Sequence, residues 1–148
     1  IKNYCVGIIS TMIRKNILNI RKNVFNVKYN HIGDFDLFIK LSKKYKFKVI
    51  QNPVATYRIH EKNLSILKKE LEIKEFNNWY KKNSKNLSLE NRKIIKDKIN
   101  QLKFVRKKFD DGFLEALTFF VENKRLNLKN LIILCTPKFI LKKVMWFY

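Results

Sequence analysis

The stretch "IGDFDLFIKLSKKYKFKVIQNP", Ile32 to Pro53, decides how this chain is read, because two periodicities meet in it. Leu37, Phe38, Leu41 and Tyr45 recur with the spacing of one buried helical face, and Asp34 and Asp36 fall in that helix's first turn. After Tyr45 the pattern changes: Phe47 and Val49 alternate with lysines up to the stop at Pro53, the signature of a strand. A helix running into a strand is an αβ unit, so an α/β fold is expected. Acidic residues in a first helical turn answer its free N–H groups and its dipole, which is explanation enough for both carboxylates. Two residues apart, they do not face each other on a helix, which excludes a shared-proton dyad and leaves at most one as a direct base.

Outward from this stretch the elements are uneven. "YCVGII", Tyr4 to Ile9, has strand character, and "STMIRKNILNI", Ser10 to Ile20, reads as a short helix capped by Ser10 or Thr11. Beyond Ser65 the signal is helical. Leu64, Leu67, Leu71, Phe76 and Trp79 or Tyr80 mark one helix, and Ile95, Ile99, Leu102, Val105 and Phe109 a second, with Ser88 as its N-cap. Phe113, Leu114, Leu117, Phe120 and Val121 mark a third, and the apolar tail is broken at Pro137. A chain of 148 residues that is 46% hydrophobic has material for a core, which excludes a disordered tail.

Thirty-three Lys and Arg against 12 Asp and Glu leave a formal charge of +21, which attracts nucleic acid, anionic lipid or phosphorylated ligands. The excess is nearly all Lys. Bidentate phosphate or base recognition favours Arg, and the chain has only Arg14, Arg21, Arg58, Arg92, Arg106 and Arg125. Without a nucleic-acid-binding motif of recognisable spacing, nucleic acid is the disfavoured partner. Cys5 and Cys135 form no CxxC pair and no zinc spacing. The longest apolar run, Leu131 to Cys135, is far short of the ~20 residues that span a bilayer. The basic tail from Lys138 to Tyr148, ending in Trp146, Phe147 and Tyr148, suits an anionic membrane surface.

A second cluster follows the predicted strand: Tyr57, Arg58, His60, Asn63 and Ser65 bring phosphate-binding and metal-binding chemistry into one loop. Together, "GDFDLFIKLSKKYKFKVIQNPVATYRIHEKNLS", Gly33 to Ser65, resembles the C-terminal half of the catalytic domain in family 2 glycosyltransferases of the GT-A fold. In that family an acidic pair with "DLW" or "DLF" opens a helix, and a "YRxHxxNxS" loop closes the domain. The resemblance covers roughly Tyr4 to Ser65.

The resemblance implies the C-terminal, acceptor-side portion of a Rossmann-like GT-A domain over residues 1–66, followed by a basic helical extension over 67–148. It implies an inverting transferase in cell-surface polysaccharide or glycolipid synthesis, moving a sugar from a nucleotide-sugar donor to a sugar or lipid-linked acceptor. Asp34 matches the catalytic base. Arg58 and His60 would lie near the donor diphosphate and Asn63 would hold the loop, with Asp36 a helix-start residue at the edge of the donor site. His60 is the candidate ligand of a divalent Mg or Mn ion. Gly33 departs from the pattern, which often carries Glu or Asp there. The expected location is cytoplasmic, at the inner face of the membrane. The chain is expected to be a piece of a longer enzyme, inactive without an N-terminal half that carries an Asp-x-Asp metal motif. The competing reading is a non-catalytic basic module for nucleic acid or anionic membrane.

Overall fold

The computed structural model describes residues 6–18, 24–56, 58, 68–122 and 128–144. Their regular elements are helices: α1 Gly33–Ser42, α2 Lys69–Asn83, α3 Leu89–Asp110, α4 Phe113–Glu122, α5 Leu128–Cys135 and α6 Lys138–Val144, with single 3-10 turns at Ile8–Ser10, Lys15–Ile17 and Ser84–Asn86. The chain divides into two compact units, Ile1–Ile95 and Lys96–Tyr148.

The α/β expectation is overturned, and the family 2 GT-A assignment falls with it: no strand occurs among the described residues. Ile8 and Ile9 lie in a 3-10 turn rather than a strand. Residues 46–51 have the alternation of a strand but no ladder, and Val49 and Ile50 stand 75% and 69% exposed. The physical reason is pairing. A period-two run becomes a strand only where its N–H and C=O groups meet a neighbouring edge, and no described residue offers one.

In the N-terminal unit, α1 is buried over nearly its whole first half: Gly33, Phe35, Asp36, Leu37 and Phe38 are all inside, as is Ile32 just before it. The helical spacing identified Leu37 and Phe38 but not Phe35. Phe35 stands edge-on to both Phe76 and Trp79 of α2, with ring centroids 5.2 and 5.0 Å away, an arrangement worth about 0.5–1.5 kcal/mol per pair beyond burial. Trp79, 1% exposed, is the largest fully buried side chain among the described residues. At the start of α3 the Ser88 hydroxyl accepts the Asn91 N–H at 3.2 Å, the N-cap bond its sequence position suggests.

The C-terminal unit is built around Phe104, Val105, Ala116, Phe120 and Leu134, contributed by α3, α4 and α5. Two lysines close helix ends in it. Lys108 is buried, donates to the Leu134 carbonyl at 2.7 Å in the last turn of α5, and lies over the Phe113 ring at 4.9 Å. Lys138 donates to the Phe109 carbonyl at 3.1 Å, near the end of α3. Cations at C-terminal carbonyls satisfy orphan acceptors and oppose the negative end of the helix dipole.

Between α3 and α4 the chain turns on Gly112, whose φ is +115°. Its N–H and that of Asp111 both reach the Lys107 carbonyl at 2.9 Å, and its own carbonyl receives the Ala116 N–H at 3.4 Å. A Cβ there would meet nothing closer than Glu115 Oε2 at 3.5 Å, so space is not the constraint; the backbone conformation is. Gly112→Ala should therefore destabilise the protein by about 1–2 kcal/mol in a denaturant titration, whereas an Ala at Gly7, where φ is −94°, should stay within about 0.5 kcal/mol.

Candidate functional site

The residues before α1 cannot cap it, since Ile32 occupies the N-cap position and makes no side-chain cap bond. The three amides that lead into it are instead held from 43 to 45 residues away, while inside the first turn the Phe35 N–H is answered by Asp34. Glu75, in the middle of α2 and 4% exposed, accepts the N–H of Asn30 on Oε1 at 2.8 Å, and those of His31 and Ile32 on Oε2 at 2.8 and 3.1 Å. One turn along α2 from Glu75, the Trp79 indole N–H donates to Asp36 Oδ1 at 2.9 Å. Lys40 Nζ, one turn along α1, meets Asp36 Oδ2 at 2.6 Å.

These two carboxylates crosslink α1 and α2 around the Phe35 ring. The Lys40 side chain is 60% exposed, so its ion pair adds little. The indole bond is buried, and losing it would leave a carboxylate oxygen desolvated without a donor, the costlier fault. Tyr29, also buried, completes the group. Burial pushes its phenol above the ordinary value, and the negative charges of Asp36 and Glu75 push it further.

Asp34 is placed differently. It is half-buried in the first turn of α1, and its Oδ1 accepts the Phe35 N–H at 2.7 Å. Among the described residues no cation pairs with it. Of the sequence-derived site, then, Asp36 is engaged by two donors inside the α1–α2 contact, while Asp34 is held by one. Gly33 is buried, with the Phe25 ring 3.7 Å from where a Cβ would stand, an ordinary contact distance. Arg58 is exposed. Tyr57, His60, Asn63 and Ser65 lie outside the described residues, as does the proposed metal ligation by His60. Among the described residues no three His, Cys, Asp or Glu side chains gather as a metal site, and no helix is long and apolar enough to cross a membrane.

Periodicity left Trp79 and Tyr80 as alternatives and missed the Trp79 bond to Asp36, and it missed Glu75 and Tyr29. The available signal was Glu75 itself: an acid one turn before Trp79, inside the apolar stripe that Ile73 and Phe76 define, has to find donors or leave the stripe.

Glu75→Gln removes the charge and one acceptor while keeping the shape, and should cost about 1–3 kcal/mol of stability, measured by denaturant unfolding. The raised Tyr29 phenol gives a signed pH dependence. Its contribution is fully present below the unfolded-state value near 10 and is lost as pH rises towards the folded value, because the unfolded chain ionises first. Tyr29→Phe should flatten the fall in stability above about pH 10, seen in melts across the alkaline range. Comparison with protein-family models, curated proteins and solved structures found no match to this chain, so nothing in them supports the glycosyltransferase resemblance.

Proposed function

We propose that the chain takes part in transfer of a sugar from a nucleotide-sugar donor to an acceptor hydroxyl, with Asp34 as general base. The proposal does not rest on a GT-A fold. The observation that supports it is the posture of one carboxylate, fixed by the Phe35 N–H, half-buried, and paired with no cation among the described residues. A carboxylate that is held but not neutralised can accept a proton. In the reaction the acceptor oxygen bonds to the anomeric carbon, the bond from that carbon to the diphosphate breaks, and the nucleotide leaves with the electron pair. The hydroxyl proton goes to Asp34.

Asp36 is the contrasting case: engaged by Trp79 and Lys40, it supports the helix that carries Asp34. Arg58, His60 and Asn63 as donor contacts, and a Mg or Mn ion near His60, belong to the proposal only as what the sequence resemblance implies. A location at the inner face of the cytoplasmic membrane, close to lipid-linked acceptors, belongs to it through the basic, aromatic-ended sequence from Lys138 to Tyr148.

A second reading, a non-catalytic module for polyanions, is favoured by one observation. Lys43, Lys44, Lys46 and Lys48 form a run of exposed cations after α1. Asp34→Asn separates the two readings. In the smallest polypeptide containing this chain that transfers sugar, it should lower turnover by about 10²–10⁴-fold with donor affinity retained. Retained turnover overturns the base assignment. Salt-sensitive RNA binding by a variant whose wild-type parent transfers no sugar would favour the polyanion module.

A further inference from the structure

Two successive helices of the C-terminal unit are apolar on the outside as well as the inside. In α5, Asn130 and Leu134 are buried, and the opposite side presents Leu131 and Ile132, the latter 57% exposed. In α6, Leu141 is buried while Phe139 and Ile140 are exposed, Phe139 at 68%. The helices are joined directly: the Thr136 hydroxyl closes α5 on the Ile132 carbonyl at 2.6 Å, and the Pro137 carbonyl opens α6 by accepting the Ile140 and Leu141 N–H groups.

Single exposed apolar residues are ordinary on a soluble surface, but four large ones within ten positions of two linked helices are a concentration that calls for a partner. Charge identifies which. Residues 123–148 contain no Asp or Glu, while Lys124, Arg125, Lys129, Lys138, Lys142 and Lys143 all fall among them. Apolar side chains bracketed by cations, with no acid between, fit a lipid surface whose headgroups are negative and whose interior is hydrocarbon. Nucleic acid would use the cations and leave Leu131, Ile132, Phe139 and Ile140 in water. A second copy would bring the same positive charge against itself.

We infer that the linked helices α5 and α6 dock the protein on an anionic membrane, with Leu131, Ile132, Phe139 and Ile140 entering the headgroup–acyl boundary. The inference deepens the membrane location put forward above and stands apart from sugar transfer, so failure of one leaves the other measurable.

The test is sedimentation of the full chain with phosphatidylcholine vesicles containing phosphatidylglycerol, against phosphatidylcholine alone, at low and high salt. Retention is expected only with the anionic lipid and should weaken with salt. An Ile132→Asn, Phe139→Asn double variant replaces exposed positions only, and circular dichroism confirms that it folds. It should lose at least about tenfold in partitioning. An independent readout is a Cys5→Ser variant with a nitroxide label at Cys135, exposed on α5, which should report reduced access to aqueous quencher when vesicles are added. Unchanged partitioning of the double variant overturns the inference. So does RNA binding without vesicle retention, which assigns the charge to nucleic acid. Self-association abolished by the variant, again without vesicle retention, assigns the face to a second copy.

Discussion

Glu75 holding the amides of Asn30, His31 and Ile32 is the contact on which the N-terminal unit depends. A helix start leaves donors that must be answered, and the local sequence offers only Ile32 at the position where Ser, Asp or Asn would normally serve. A carboxylate from α2 fixes the three amides that lead into α1, so the entry to the helix and tertiary packing form together. Once Glu75 is seated, the position one turn further on brings the Trp79 indole to Asp36, and Phe35 is enclosed by Phe76 and Trp79. Asp34 inherits its position from this arrangement. It is the carboxylate of the first turn that α2 does not engage.

The C-terminal unit solves the complementary problem with the opposite charge. Here carbonyls at helix ends need donors, and Lys108 and Lys138 supply them. Lys108 is buried to do so, and its aliphatic stem and ammonium are shared between the Leu134 carbonyl and the Phe113 ring. Cations at helix ends answer the negative pole of the dipole, and here, as with Glu75 ahead of α1, the partner comes from across sequence distance.

What was legible in the sequence follows the same division. The helices α2, α3 and α4 announced themselves through spacing, and Ser88 through its chemistry, because both are properties of a short window. The strand over residues 46–51 did not form, because a strand is a property of two segments and its local half was all that could be seen. The Asp34-to-Ser65 motifs carried the family resemblance in a few letters, and those letters do not contain a sheet. At the candidate site, Asp34 and Asp36 looked equivalent in the first turn of a helix. Their difference came from Trp79, 43 positions away, which no periodicity links to either.

The uncovered segment from Lys46 to Pro53 also recasts the protein's charge. Val49 and Ile50 stand in water beside Phe47, whose ring leans edge-on against Phe38, and together they form a short, β-prone apolar stretch, the composition from which intermolecular strand stacking starts. Lys43, Lys44, Lys46 and Lys48 stand before and within it, and Pro53 lies just beyond, where a growing ladder would need an N–H. Part of the lysine excess that resembles a binding surface therefore also acts as a guard, keeping one molecule's unpaired stretch from recruiting another's.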